Sequence, residues 1–311
     1  MQPLKIQARC VAGPEERLEH IKQAIERGLE EFGGSDPHDK EICIVGSGPS
    51  VRSQIKKIRK LKRDGCMILA VKGAHDFLIQ KKIKPHAALA VDPQPHIVRC
   101  FRKKFPKGDP DRPAYLIASQ CHPEVFDYLS DQRVIVWHLL ATSSHEFLKG
   151  RLQVGGGSTS GSRGIVLAYM MGFRNFHLFG FDSCLAGDDS KKLRKVTGET
   201  WGKENEKILQ LMCEGKTFYA DPAMAAQANE IQDVFAMLQG ARFKGYGHGL
   251  IQTVIESNAK AGKEGYYAVG DEFIGAGIPA VREEAARQPL RELQAASDGV
   301  FRGHRYPQVA A

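Results

Sequence analysis

Short apolar runs recur along the chain, and they constrain its fold more than any other feature. They occupy residues 41–45, 67–71, 87–91, 114–118, 133–137 and 176–179. Runs of this length with few charged residues are typical of strands that are buried on both faces of a sheet. Helical patterns lie between several of them, and this alternation indicates parallel pairing through right-handed crossovers. The sequence therefore predicts an α/β fold with an open, mostly parallel sheet and helices on both faces.

Around this core the chain divides into three parts. Residues 1–39 are predicted to form an N-terminal helix, over 14–32, and a linker. Residues 40–258 are predicted to form the main domain, in which the polar segment 184–215 is an insertion or a lid. Residues 259–311 are rich in Ala, Gly, Arg and Pro, and we expect them to form a loosely ordered tail.

A glycine-rich turn follows the first predicted strand and opens a helix. It consists of Gly46, Ser47, Gly48, Pro49 and Ser50. Glycines let the backbone approach an anion closely, and the first N–H groups of a helix have no partner within it. The turn is neither GxGxxG nor a P-loop. Two interpretations therefore stay open on the pattern alone: a site for the phosphates of a nucleotide, or only a tight connection.

A second glycine-rich loop, residues 155–160, lies before a helix predicted over 161–171. It offers consecutive glycines and several hydroxyl groups just where the helix begins. Two such loops at one edge of a sheet are suited to two phosphates, or to one phosphate and an acceptor molecule. The alternative is a flexible connection with no ligand.

Two aspartates follow predicted strands, at the edge where open α/β sheets bind ligands. Asp92 comes after the run 87–91, and Asp182 comes shortly after the run 176–179. A carboxylate there is suited to holding Mg²⁺ against phosphates or to orienting a hydroxyl group, although aspartate is also a common helix cap. His248, between two glycines after a late strand, is a candidate acid–base group or phosphate contact.

The charge and the cysteines narrow the class of protein. The chain has 311 residues and a formal net charge of +8, with basic clusters over 52–63, 81–84 and 99–107. Such clusters suit phosphorylated small molecules or nucleic acid, and a solvated helix face is the alternative. Seven cysteines without a CxxC pair indicate reduced thiols rather than a disulfide framework or a zinc site.

No apolar run is long enough to cross a bilayer, and the first residues lack the apolar stretch of a signal peptide. We therefore expect a cytoplasmic protein without a membrane partner. The sequence does not specify an oligomeric state.

Three features taken together resemble a known family. They are the string IVGSGPSV at residues 44–51, Asp92 after its strand, and the stretch 155–184 that ends in GFDSC. They resemble the MptE-like 6-hydroxymethylpterin diphosphokinase family over roughly residues 40–255. That family is related in fold to motility-accessory-factor glycosyltransferases and to bacterial sialyltransferases that use CMP-sugars.

The resemblance implies a Rossmann-like fold and a transferase that moves a diphosphoryl group from ATP to a pterin hydroxymethyl group with Mg²⁺. By position, the turn Gly46–Ser50 would bind the nucleotide, and Asp92 and Asp182 would hold the metal or the acceptor. Near the phosphates it would place Gly156, Gly157 and Ser158. The sequence departs from the family in two places: Lys72 stands where Asn is common, and residues 186–191 contain no His.

Three functions stay open at this point. The first is a diphosphokinase or related phosphotransferase that uses ATP and Mg²⁺. The second is a glycosyltransferase that uses a nucleotide sugar, with His248 or an aspartate activating the acceptor hydroxyl. The third is a non-catalytic module that binds nucleotide or nucleic acid through the basic clusters.

Overall fold

The computed structural model describes residues 12–140, 146–185 and 208–273. The strands are β1 (Glu30–Glu31), β2 (His38–Val45), β3 (Met67–Val71), β4 (Ala87–Ala90), β5 (Ala114–Ala118), β6 (Arg133–Leu139), β7 (Gln153–Val154), β8 (Phe173–Phe179), β9 (Leu209–Cys213), β10 (Lys216–Ala220) and β11 (Arg242–Tyr246). The helices are α1 (Pro14–Glu26), α2 (Ile55–Arg63), α3 (Ala74–Gln80), α4 (Pro123–Tyr128), α5 (Ser160–Met170), α6 (Pro222–Met237) and α7 (Leu250–Lys260). Short 3₁₀ helices cover Pro49–Gln54, Pro95–Phe101 and Glu146–Leu148.

Nine of the strands form one sheet, and its order explains where a ligand can bind. The order is β1-β6-β5-β4-β3-β2-β8-β11, with β7 paired to β6, and every pairing in the sheet is parallel. The chain runs outward from β2 to β6 and then returns to place β8 beside β2 on the other side. The gap between β2 and β8 is therefore the topological switch point, where open α/β sheets form their ligand crevice.

Both faces of the sheet are covered, as the apolar runs predict. On β2, Ile42 and Ile44 belong to one apolar cluster, which also contains residues of α5, α6 and α7. Cys43 and Val45 belong to another cluster, together with residues of α2 and α3. Successive side chains of a strand point to opposite faces, so β2 is buried on both. The predicted open α/β fold with a parallel sheet is confirmed.

The N-terminal helix is shorter than predicted. Helix α1 ends at Glu26, and Gly28 follows with a φ of +60°. Glu30 and Glu31 then pair with β6 at the edge of the sheet, and the N–H of Phe32 donates to the carbonyl of Val136 over 2.7 Å. The helical spacing of apolar residues continues to Phe32, but the glycine in the left-handed region turns the chain into an edge strand.

The polar segment after β8 ends in a hairpin that the sequence pattern does not indicate. Strand β9 pairs antiparallel with β10, so that Leu209 lies opposite Ala220 and Cys213 lies opposite Lys216. Residues 186–207 of the predicted insertion or lid lie outside the described residues. At the other end, helix α7 continues to Lys260 and Tyr266 forms a bridge to Phe243, while residues 274–311 of the predicted tail also lie outside the described residues.

Within the described ranges, no helix has the length and apolar character that a bilayer span requires.

Candidate functional site

A cavity of about 260 Å³ opens at the carboxyl edge of the sheet, at the switch point between β2 and β8. Its walls come from segments that are far apart in sequence and that all follow or precede an element of the sheet. They are Gly46–Pro49 after β2, Val71 and Lys72 at the end of β3, Thr159–Ser162 at the start of α5, 180–185 after β8, and residues of α6 and α7. The sequence-predicted edge and the first predicted turn therefore meet at one cavity.

The first glycine turn packs directly against the chain that leaves β8. The N–H of Gly46 donates to the carbonyl of Phe179 over 2.7 Å, and the N–H of Gly48 donates to the carbonyl of Gly180 over 2.9 Å. A Cβ at Gly46 or at Gly48 would lie 2.6 Å from the carbonyl oxygen of Gly180. These glycines are thus required by the close approach of two backbones. Their N–H groups are engaged within the fold.

Asp182 ties the same turn to helix α7. Its Oδ2 accepts from the N–H of Ser50 at 2.8 Å, and its Oδ1 accepts from the Ser50 hydroxyl and from Nε2 of Gln252, the latter at 3.2 Å. The residue is buried, with 4% of its surface exposed. Burial raises the pKa of the Asp182 carboxyl above its ordinary value, although the hydrogen bonds from Ser50 and Gln252 act in the opposite direction.

The start of helix α5 is the part of the cavity wall that is suited to an anion. Thr159 caps the helix and exchanges hydrogen bonds with Ser162 in a capping box. The N–H groups of the next two residues, Ser160 and Gly161, have no acceptor in the described part of the chain. Both residues line the cavity. Two unengaged donors at the positive end of an 11-residue helix match a phosphate.

Lys72, which follows β3, is a cationic residue among those that line the cavity. It has a φ of +50°, in the left-handed region that non-glycine residues seldom adopt. Its ammonium lies 2.9 Å from Oδ2 of Asp92. Burial opposes ionisation of Asp92, but the Lys72 ammonium, the N–H of Gln94 and nearby His96 together hold the pKa of that carboxyl below its ordinary value. An anion in the cavity would meet Lys72 without a change of backbone.

Other predicted site residues lie beside the cavity rather than on its wall. The second glycine loop bends through Gly156 and Gly157, with φ of +74° and +72°, and packs against α5. The hydroxyl of Ser158 donates to Glu230 over 2.7 Å. His248 is exposed, and neither it nor Asp92 is among the lining residues. Their roles in binding or catalysis stay predictions.

Helix α6 supplies a wall that sequence reasoning did not assign to the site. Ala223, Met224, Gln227 and Ile231 of α6 line the cavity, together with Ile251 of α7. The helix begins at Asp221, which is buried and accepts from the N–H of Met224 at 2.7 Å. The sequence predicts the helix but not the direction of this face, because only the return of the chain after β10 lays it over the switch point.

The contacts of the two aspartates bear on the predicted Mg²⁺ site. Both oxygens of Asp182 accept hydrogen bonds, and both oxygens of Asp92 are engaged by Lys72 and Gln94. Carboxylate oxygens that bind a metal commonly accept hydrogen bonds as well. The predicted role of the two aspartates as Mg²⁺ ligands therefore stays a prediction.

The basic residues of α2 are partly engaged in local contacts. Lys60 pairs with Asp64, Arg59 donates to the carbonyl of Lys81, and Lys62 donates to the carbonyl of Lys84. These contacts are the expected ones for a solvated helix face. Binding of nucleic acid to this cluster stays a prediction.

Comparisons with known proteins agree with the topology. The family model described as 6-hydroxymethylpterin diphosphokinase MptE-like matches residues 15–188. Comparison with curated protein sequences gives no match. A solved structure, the MAf glycosyltransferase from Magnetospirillum magneticum AMB-1, is similar with a TM-score of 0.61 and 16% identity. The match covers 93% of this chain but 43% of that one, so the chain spans less than half of that protein.

Proposed function

The chain belongs to the MptE-like family, as its motifs predict, and from this premise we propose that it is a nucleotide-dependent transferase. The observation that carries the proposal is the cavity at the switch point, whose wall includes Ser160 and Gly161, the two residues with unengaged N–H groups. The reaction that fits the family description is transfer of a diphosphoryl group from ATP to a hydroxymethyl acceptor of the pterin type. In that reaction the acceptor hydroxyl attacks the β-phosphorus, and AMP leaves.

The charges around the cavity support this assignment of the donor. The helix end and the Lys72 ammonium would bind the phosphates from two sides and neutralise charge that develops in the transition state. Asp92 would hold the lysine in place through its 2.9 Å contact. Asp182 would act as a positioning residue, since it fixes Ser50 and hence the turn Gly46–Ser50 that forms the floor of the cavity.

The apolar face of α6 supports a flat, partly apolar ligand. Met224, Ile231 and Ile251 are apolar residues that line the same cavity as the polar start of α5. Ligand pockets commonly combine such a wall with a few convergent polar groups. A nucleobase or a pterin ring against this wall would leave its phosphate or hydroxymethyl group facing α5. Any Mg²⁺ would enter with the nucleotide phosphates, and we derive no step through it.

Glycosyl transfer from a nucleotide sugar is the second candidate. It is favoured by the likeness to the glycosyltransferase structure, which extends over 93% of this chain and therefore beyond the residues that the family model matches. The same helix end and lysine would then hold the diphosphate or phosphate of the donor. The acceptor hydroxyl would again approach from the side of α6.

Thermal denaturation with different donors tests the proposal. ATP at 100-fold excess over its dissociation constant adds about 2.7 kcal/mol to the free energy of unfolding. We therefore expect ATP with Mg²⁺ to raise the Tm by several degrees, adenosine to have little effect, and ATP with 6-hydroxymethylpterin to yield AMP. A rise in Tm with CMP- or UDP-sugars but not with ATP would favour glycosyl transfer. No rise with any nucleotide would refute both candidates.

A further inference from the structure

Four side chains that can bind a metal converge on three neighbouring strands, outside the wall of the cavity. Glu41 and Cys43 lie two residues apart on β2, and Cys43 is paired in register with His177 of β8. Cys66 directly precedes β3, whose first residue Met67 is paired with Ile42. The register therefore brings β2, β8 and the start of β3 together on the face that α2 covers.

Three ligand atoms of this cluster are close enough to share one ion, and the fourth lies beside one of them. Nε2 of His177 lies 3.0 Å from Oε2 of Glu41. The ligand atoms of Glu41, Cys66 and His177 all lie within 4.8 Å of one another. Cys43 joins this group through Cys66, since the two sulfurs lie 3.2 Å apart. Two sulfurs bound to one tetrahedral zinc are separated by about 3.8 Å, so the pair would open by roughly half an ångström.

We propose that Glu41, Cys43, Cys66 and His177 form a binding site for one transition-metal ion, with Zn²⁺ as the preferred ion. Two thiolates, an imidazole and a carboxylate are the ligand types that zinc takes in tetrahedral sites. Hard ions such as Mg²⁺ and Ca²⁺ prefer oxygen ligands only, so this donor set discriminates against them. Within the described ranges no other group of His, Cys, Asp and Glu side chains meets the same distance criterion.

The surroundings of His177 are those of a metal ligand. Its Nδ1 lies 2.8 Å from the hydroxyl of Tyr246, which fixes the ring, and its Nε2 lies 3.0 Å from Oε2 of Glu41. A metal bound at Nε2 would therefore lie beside the Glu41 carboxylate while Tyr246 holds the other ring nitrogen.

The charge of the cluster is balanced by its neighbours. Two thiolates and one carboxylate around Zn²⁺ leave a net charge of about −1, by simple addition. Lys57 and Lys244 both lie near enough to act electrostatically on His177. The cysteines are buried, with exposures of 0% for Cys43 and 3% for Cys66. The half-exposed Glu41 side chain provides the route by which an ion would enter.

A metal here would hold together the three strands that lead to the cavity. Strands β2, β3 and β8 lead to the turn Gly46–Ser50, to Lys72 and to Asp182. The role is structural, because none of the four residues is part of the cavity wall. It is independent of which nucleotide the cavity binds.

Cobalt titration of the full, tag-free chain tests this site. The protein is stripped of metal, kept under a phosphine reductant so that Cys43 and Cys66 stay reduced, and titrated with Co²⁺. We expect one Co²⁺ per chain, with the intense visible absorption of a tetrahedral site and a thiolate-to-cobalt charge-transfer band, both removed by one equivalent of Zn²⁺. A wild-type protein without these bands would overturn the proposal.

Variants distinguish this site from adventitious binding. Cys66→Ser should weaken Co²⁺ binding at least tenfold and diminish the charge-transfer band. Glu41→Gln, at a half-exposed side chain, should weaken binding tenfold without disturbing the fold, and it decides the question if Cys66→Ser does not fold by circular dichroism. Cys121→Ser is the matched control, because Cys121 is an equally buried thiol in the other apolar cluster. Equal titrations of wild type and Glu41→Gln would contradict the assignment.

Discussion

The two glycine-rich loops of the molecule look alike in sequence and differ in what they do with their N–H groups. The turn Gly46–Ser50 follows β2, and the loop 155–160 follows β7, and each leads into a helix. In the first, the N–H groups of Gly46, Gly48 and Ser50 all donate to the end of β8 or to the chain just after it. In the second, the glycines only bend the chain, and the unengaged donors come one step later, at Ser160 and Gly161.

The difference teaches that a glycine-rich strand–helix junction has two physical uses. A glycine removes a Cβ, which permits either another backbone or a ligand to approach. In the first loop the approaching group is the carbonyl of Gly180. In the second loop, the start of helix α5 borders the cavity, where a ligand can approach. The two uses are distinguished by whether each N–H group of the loop has an acceptor within the protein.

The largest effect is expected from adding a methyl group to the first loop. In Gly48→Ala, the Cβ would lie 2.6 Å from the carbonyl oxygen of Gly180 and 2.7 Å from Oδ2 of Asp182. Moving either group would break a hydrogen bond from the first turn, either that of Gly48 to Gly180 or that of Ser50 to Asp182. We expect the free energy of unfolding to fall by about 3 kcal/mol, the upper end for overpacking. Urea denaturation measures the change.

Gly33→Ala is the matched control for this substitution. Gly33 has no heavy atom within 4 Å of the position of an added Cβ. We expect its free energy of unfolding to change by less than about 1 kcal/mol. If Gly48→Ala were as stable as Gly33→Ala, the first turn would have room for a side chain, and its glycines would be better explained by a bound anion.

Much of the architecture is predictable from the apolar runs, because burial on both faces leaves a local signature. Strands β3 and β5 coincide with the predicted runs residue for residue. The edge strand β1 was not predicted, because two exposed glutamates carry no apolar pattern. For the site, the sequence predicts the carboxyl edge of the sheet and the turn Gly46–Ser50. It does not predict the face of α6 that lines the cavity or the contact between Cys43 and Cys66, because both depend on strand order and register.

The second loop can be tested by removing one backbone donor. Ser160 is the first residue of α5, a position that tolerates proline, and Thr159 before it has φ of −108° and ψ of 159°, which suit a residue that precedes proline. Ser160→Pro therefore deletes one N–H group without breaking the helix. A hydrogen bond to a charged group contributes about 1.5–3 kcal/mol, so we expect ATP to bind at least tenfold more weakly by calorimetry.

Two control variants show whether loss of the Ser160 N–H group is the cause of the weaker binding. Ser160→Ala keeps the N–H group, and Ser158→Ala removes a hydroxyl that donates to Glu230 outside the cavity. Both should bind ATP within about twofold of wild type, since neither removes the proposed backbone contact. If Ser158→Ala weakened binding more than Ser160→Pro, the phosphates would lie against the second glycine loop, as the sequence alone predicts, rather than at the helix start.

The smallest expected effect concerns the pH dependence of the first loop. Because burial raises the pKa of Asp182, the folded protein holds this proton more tightly than the unfolded chain, whose aspartates titrate near pH ~3.9. The resulting stabilisation is fully present below that pH and is lost as the pH rises through the folded-state value. Asp182→Asn cannot titrate there. The difference in free energy of unfolding, wild type minus Asp182→Asn, should therefore decrease between pH 4 and pH 7.

Ser50→Ala keeps the titration of Asp182 and shifts it, whereas Asp182→Asn removes it. The Ser50 hydroxyl donates to Oδ1 of Asp182 and favours the charged form. Without it, the pKa of Asp182 should rise further, and the loss of stability should extend to a higher pH than in wild type. A difference between wild type and Asp182→Asn that stayed constant with pH would mean that water reaches the carboxylate. The first loop would then resemble the second, with donors that a ligand can use.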